Sequence, residues 1–90
     1  MHLEEWYLGE CNGDWEHSYG VTIETLDNPG WIVRIDLHET AWEDLEVALC
    51  VDQRSEENWI QFEVKNHQFI GCGGVKNLSQ LIEAFLSLVR

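Results

Sequence analysis

Hydrophobic residues occupy every second position in two neighbouring segments of the chain. The first segment, Tyr19 to Glu24, has the two-residue period of a half-buried strand. The second, Trp31 to His38, has the same period and follows the turn sequence Asp27 to Gly30. Proline fixes φ in such a turn, and glycine accepts the positive φ that closes it. The two segments therefore predict a β-hairpin.

Three later segments repeat this alternation. They span Leu45 to Asp52, Trp59 to Lys65 and Gln68 to Cys72. The polar residues Arg54 to Asn58 separate the first two, and Asn66-His67 forms a turn between the last two. The pattern thus predicts five strands in total.

Helical periodicity appears near both ends of the chain. Residues from about His2 to Cys11 predict a short amphipathic helix, which Asn12-Gly13 ends. Near the C-terminus, Asn77 is a predicted N-cap with Gln80 as its capping-box partner. The apolar stripe that follows consists of Leu78, Leu81, Ile82, Phe85, Leu86 and Val89.

This order of elements predicts an α+β fold, with a five-stranded antiparallel meander sheet and an N-terminal and a C-terminal helix packed on one face. Short connections favour pairing of the strands in sequence order. We expect residues 1–90 to form a single domain, because a chain of this length holds one core. The side chains expected under the helices are Val33, Ile35, Val47, Leu49, Phe62 and Val64.

Charge adds a functional expectation to this fold. The chain has 17 Asp and Glu against 5 Lys and Arg, a formal net charge of −12. Such a field repels nucleic acid and anionic membranes and attracts a basic protein surface. A general solubility bias without a dedicated partner is the alternative interpretation.

Alternation assigns many of these charges to the sheet face opposite the helices. The residues predicted there are Glu24, Arg34, Asp36, Glu46, Asp52, Gln61 and Glu63, together with Trp59. An exposed tryptophan surrounded by carboxylates is a good anchor for a protein partner. The alternative is a solvated face with Trp59 packed at its edge.

Location and redox state follow from other residues. No segment reaches the roughly 18–20 consecutive apolar residues of a membrane helix, and acids near the N-terminus replace the positive charge of a signal peptide. We expect a cytoplasmic protein. Cys11, Cys50 and Cys72 lack the spacing of a disulfide scaffold and are expected to be reduced.

Two runs of residues resemble the immunity protein 53 family of bacterial polymorphic toxin systems. These are Trp6 to Leu8 followed by Cys11 to Val21, and Ile23 to Trp31. The resemblance implies an antidote that binds a cognate toxin and blocks its active site or substrate path. Many toxins of these systems are nucleases with basic clefts, which an acidic protein can occupy. The resemblance assigns no catalytic residues, and we expect no cofactor.

The remaining candidate sites offer weaker alternatives. Cys11, Asp14 and His17 are metal-capable, but they cross a helix end and a loop, and we predict no metal site. Cys72 precedes the C-terminal helix and suggests a small thiol enzyme, similar to a sulfurtransferase, as the alternative function. The histidines His2, His38 and His67 are interpreted as scattered and solvated.

The loop Asp14-Trp15-Glu16 is a second candidate for contact with a partner. We expect a monomer or a weak homodimer, because two surfaces with a charge of −12 repel each other. A dimeric structural module, in which the open sheet face or an edge strand pairs with itself, is a third function class.

Overall fold

The computed structural model describes residues 2–90, which form three helices and one five-stranded antiparallel sheet. The predicted α+β class, the five antiparallel strands and the two terminal helices are confirmed. No helix in this part of the chain has the length and apolarity needed to cross a membrane. The elements in chain order are α1 (Leu3–Glu10), α2 (Trp15–Ser18), β1 (Val21–Leu26), β2 (Gly30–Asp36), β3 (Val47–Gln53), β4 (Trp59–Lys65), β5 (Gln68–Gly73) and α3 (Leu78–Leu88).

The spatial order of the strands is β1-β2-β5-β4-β3, which differs from the sequential order of the predicted meander. Two tight hairpins are retained, β1–β2 and β4–β5. Asn66 and His67 between β4 and β5 both have positive φ, 53° and 63°, as a two-residue type I′ turn requires. The longer connection 37–46 leads the chain from β2 to the far edge of the sheet, where β3 lies. The second side of β2 then pairs with β5.

Helix α3 packs across the middle of the sheet, directly over β5. A Cβ on Gly71 would lie 3.0 Å from Cδ2 of Leu81, and one on Gly73 would lie 3.2 Å from Cδ1 of the same residue. Glycine at these positions lets the helix approach the strand closely. This close approach explains why the glycine-bearing strand occupies the centre of the sheet.

Both terminal helices contribute to one hydrophobic core. Phe85 of α3 lies over Phe69 of β5, with ring centroids 5.3 Å apart. Trp6 of α1 packs edge-on against Phe85 at 4.9 Å, so α1 lies on the same side of the sheet as α3. The fully buried side chains include the predicted Val33, Ile35 and Val64, together with Leu37, Phe69, Leu81, Phe85, Leu86 and Val89.

A β-bulge in β3 reverses the predicted orientation of this strand. Val47 pairs with Val64, but the next paired residue is Cys50 opposite Phe62, so Ala48 and Leu49 together oppose one residue of β4. One extra residue shifts the alternation by one position. Leu49, predicted to be buried, is 53% exposed as a result.

Asn77 precedes α3 but does not form the predicted capping box. Its side chain makes no cap hydrogen bond. Instead, Nδ2 donates to Oδ1 of Asn58 and to Oε1 of Gln80, each at 3.0 Å, and Oδ1 accepts from the backbone N–H of Trp59 at 3.3 Å. Asn77 is 6% exposed. Through these hydrogen bonds it connects the start of α3 to the loop between β3 and β4.

Candidate partner-binding surface

The predicted acidic face is present on β1, β2 and β4, but its carboxylates have local partners. Glu24 of β1 forms an ion pair with Arg34 of the neighbouring strand β2, with Oε1 and Nη1 3.2 Å apart. Glu63 lies 3.6 Å from Nζ of Lys65 on the same strand. Asp36 accepts hydrogen bonds from the backbone N–H of Gly20 and from Nε2 of Gln68. The centre of this face is therefore close to charge-balanced.

Three other predicted members of the face lie elsewhere or are only partly accessible. The bulge pairs Asp52 with Ile60, so the side chain of Asp52 is on the helix-covered side of the sheet. Its Oδ1 lies 3.8 Å from Nε of Arg54. Glu46 lies just before β3 and is exposed. Trp59 is half-buried at the first position of β4 rather than fully exposed.

The Asp14-Trp15-Glu16 segment is largely engaged in its own folding. Trp15 is 3% exposed, and its Nε1 donates to the carbonyl of His38 at 2.8 Å, so its side chain is not available for direct contact with a partner. Glu16 accepts hydrogen bonds from the backbone N–H groups of Asn12 and Gly13 at 2.9 and 2.8 Å. The interpretation of Trp15 as a contact residue does not fit this burial, whereas Asp14 remains exposed.

Asn12, rather than Asp14, satisfies the backbone of this turn. Its Oδ1 accepts from the N–H groups of Asp14 and Trp15 at 2.9 and 3.0 Å. Backbone N–H groups, foremost that of Glu16 itself and then those of Asn12 and Gly13, lower the pKa of the Glu16 carboxyl. Across residues 2–90, no three His, Cys, Asp or Glu side chains come together as a metal site would require.

Carboxylates without a basic partner are densest just before β3, although residues 1–33 also hold seven acids and no Lys or Arg. Residues 35–53 include six acids and no Lys or Arg. Four of these acids occur between residues 39 and 46, in the connection that follows β2, and we call this group the acidic segment: Glu39, Glu43, Asp44 and Glu46. The three ion pairs within residues 2–90 involve none of them.

Aromatic rings lie next to the acidic segment, which the sequence did not reveal. Tyr19 stacks on His38 with ring centroids 5.0 Å apart, and His38 lies 4.7 Å from His67. Burial raises the pKa of the Tyr19 hydroxyl, and the nearby Glu39 raises it further. The two histidines, interpreted as scattered, meet because the end of β2 meets the β4–β5 turn, where Leu37 N–H donates to the His67 carbonyl at 2.8 Å.

An open cavity of about 470 Å³ adjoins this cluster on the side of α1. Its lining combines apolar and phenolic surface with one carboxylate, that of Glu4. The side chain of Tyr7 is 41% exposed there. The full lining is Leu3, Glu4, Tyr7, Tyr19, Gly20 and Val21. Such a combination suits a long cationic side chain, whose aliphatic stem packs on aromatic rings while its charge remains near carboxylates.

Strand β3 is the most exposed element of the sheet. Every side chain from Ala48 to Gln53 is exposed, with Leu49 at 53% and Val51 at 58%. Within residues 2–90 this strand pairs only with β4, so its other backbone edge faces solvent. Alternation over Leu45–Asp52 could not reveal this exposure, because the extra residue of the bulge is visible only against the partner strand.

Cys72 has surroundings that oppose the thiol-enzyme alternative. It lies within β5, between Ile32 of β2 and Gln61 of β4 in the pairing register, and not at the start of α3. Burial raises the pKa of the Cys72 thiol, and Arg34 only partly opposes this. A reactive cysteine needs a lowered pKa, since the thiolate is the nucleophile.

Comparison with known families gives one result that covers the chain. The family model described as immunity protein 53 matches residues 1–90. No curated protein and no solved structure matches the chain.

Proposed function

Because the chain belongs to the immunity protein 53 family, we propose that it binds a cognate toxin of a bacterial polymorphic toxin system and neutralises it. Neutralisation is stoichiometric: the protein blocks the toxin by occupying its surface and converts no substrate. Residues 1–90 act as one domain, in the cytoplasm of the cell that produces the toxin.

The acidic segment supports a toxin with a basic surface. Its carboxylates have no Lys or Arg neighbours from residue 35 to residue 53, so their charge is not cancelled locally. Charge of this kind accelerates encounter with a cationic surface and fixes the orientation of the complex. It also disfavours nucleic acid and anionic membranes as partners.

A nuclease is the toxin class that this charge fits best. A nuclease cleft carries Lys and Arg to bind phosphates. Glu39, Asp44 and Glu46 are exposed, Glu43 is half-buried, and none of the four is held in an ion pair with another of the described residues. Their carboxylates can therefore occupy the positions that phosphates would take. An inhibitor bound in this way excludes the nucleic acid from the cleft.

Co-expression with the toxin encoded beside it tests the proposal. We expect cells to survive and a 1:1 complex to be isolated from them. Continued cell death with no detectable complex would contradict it. A complex that forms but leaves the toxin active would show binding without neutralisation, and would also count against the proposal.

Two matched double variants test the role of the acidic segment. Asp44→Lys with Glu46→Lys changes two exposed acids of the segment, and Glu56→Lys with Glu83→Lys changes two exposed acids elsewhere. Both pairs alter the net charge equally. We expect the first pair to weaken the complex about tenfold more than the second, or about 1.4 kcal/mol. Equal effects would indicate only a general dependence on net charge.

A further inference from the structure

We propose that β3 is the recognition strand of this protein, and that a strand of the toxin pairs with its free edge and extends the sheet. This inference rests on the proposed function, because it identifies where the toxin binds. The occupant is a segment of the toxin with apolar residues at its centre and Lys or Arg towards its ends.

The backbone of β3 supplies the first argument. An edge strand presents unpaired N–H and C=O groups to solvent, and proteins usually protect such an edge with proline, lysine, a bulge, an inward-pointing charge, a short strand or a covering element. Val47–Gln53 is seven residues long and contains neither proline nor lysine. Helix α3 packs over β2, β4 and β5, and so leaves β3 uncovered. The bulge disrupts the edge at Ala48 and Leu49, whereas the regularly paired part from Cys50 to Gln53 is open to strand addition.

The other edge strand, β1, lacks the same apolar centre. Glu24 lies in the middle of β1 and is held by Arg34 of β2. Ile23 beside it is 40% exposed, but Thr22 and Thr25 flank this pair of residues. The centre of β3 reads Ala-Leu-Cys-Val from residue 48 to residue 51. Only β3 thus combines a free backbone edge with a run of exposed apolar side chains.

The bulge gives Leu49 and Val51 their accessibility. Without the bulge, these side chains would be on the same side of the sheet as Phe62, which is the side that the helices cover. With the bulge, they are on the same side as Gln61, which is the open face, and are 53% and 58% exposed. Side chains at alternate positions of an edge strand are the ones that an added strand and its flanking residues cover.

Charge selects the occupant. Glu46 stands immediately before the strand, and Asp52 stands near its end, so acids flank the apolar centre on both sides. Glu46 forms no ion pair within residues 2–90, whereas Asp52 lies 3.8 Å from Nε of Arg54. A toxin strand with basic flanks therefore complements Glu46 directly and competes with Arg54 for Asp52, whereas a second copy of this chain brings another net charge of −12 to the same edge. The complementary partner is consequently the cationic toxin and not another copy.

Native cysteines provide a direct footprint. Cys50 is exposed at the centre of β3, and Cys11 is half-buried at the end of α1 and serves as an internal reference. We expect the purified toxin to slow iodoacetamide alkylation of Cys50 at least about tenfold while changing Cys11 less than about twofold. Amide hydrogen exchange should slow across residues 47–53 and remain unchanged across residues 21–26.

Substitution tests the apolar centre without changing charge. Leu49→Thr with Val51→Thr places a β-branched strand former at both positions and removes apolar surface. Ile23→Thr with Val75→Thr is the matched control, because these residues are 40% and 55% exposed on other parts of the surface. We expect about a tenfold loss of toxin affinity for the first pair and less than about a threefold loss for the control.

Three results would overturn the inference. A toxin complex in which Cys50 and residues 47–53 remain unprotected would overturn it while leaving the proposed function intact. Protection of Cys50 in toxin-free protein as its concentration rises would identify a second copy as the occupant. The absence of any complex with the toxin would overturn both proposals.

Discussion

Replacing Asn77 by alanine tests whether this residue stabilises the fold as a connection between elements or as a helix cap. Asn77→Ala removes the two hydrogen bonds that Nδ2 donates, to Asn58 and Gln80, and the one that Oδ1 accepts from Trp59 N–H. Each is worth about 0.5–1.5 kcal/mol net, and more where a buried partner is left unpaired. Since Asn77 is 6% exposed, we expect the substitution to lower the free energy of unfolding by about 2–4 kcal/mol.

A change of this size is easily measured. For a domain of this length, about 1 kcal/mol corresponds to roughly 4–8 °C in Tm, so Asn77→Ala should melt about 8–32 °C lower. Urea unfolding followed by tryptophan fluorescence gives the free energy directly, because the chain has five tryptophans. The m-value should stay constant if the folded and unfolded states keep their compactness.

Asn77→Ser separates the two explanations. Serine is as good an N-cap as asparagine, but its side chain is too short to reach Asn58 and Gln80. If Asn77 acts as a connection, Asn77→Ser should lose nearly as much stability as Asn77→Ala. Recovery of the serine variant to within about 0.5 kcal/mol of the parent would refute this reasoning and restore the capping box.

Two further predictions concern ionisable side chains. Because the pKa of Glu16 is lowered in the folded chain, its ionised form favours folding above its ordinary pKa of 4.5, and this contribution disappears as pH falls through the lowered value. Glu16→Gln should therefore destabilise the protein in urea unfolding at pH 7 and destabilise it less at pH 3; an equal loss at both would contradict the assignment. Because burial raises the pKa of Cys72, iodoacetamide at pH 7.5 should modify it about tenfold more slowly than Cys50, and unfolding should abolish the difference. Faster modification of Cys72 than of Cys50 would revive the thiol-enzyme alternative.

The local elements of the fold could be predicted where one short segment determines them. Asp27 to Gly30 predicted the β1–β2 hairpin, and Asn66-His67 predicted the turn between β4 and β5. The apolar stripe of α3 also predicted its buried face, including Leu81 and Phe85. In each case the turn chemistry or the period is complete within a few neighbouring residues.

Features that depend on distant partners could not be predicted. The bulge exists only relative to β4, since Leu45 to Asp52 alternate without interruption in the sequence. The position of β5 between β2 and β4 depends on the packing of Leu81 over Gly71 and Gly73. Pattern within one segment carries no information on either contact.

The local partners of the predicted acids could not be derived from the sequence for the same reason. Alternation correctly assigned Glu24, Arg34 and Glu63 to one face, but it could not show that Arg34 and Lys65 neutralise the two acids. Within the part of the chain that the structure describes, four of the acids without such partners lie in the connection before β3, where the sequence has no period to interpret. Whether these carboxylates contact a toxin stays a prediction.

The exposure of β3 has a consequence for how such a protein can change over generations. From Ala48 to Gln53 the strand contributes no buried side chain, so the residues that would contact a partner are separate from those that hold the fold. If the toxin pairs with β3 as proposed, substitutions at these six positions can alter which toxin is recognised at little cost in the free energy of unfolding. In that case, when a toxin lineage diverges, its antidote can follow by surface substitutions alone.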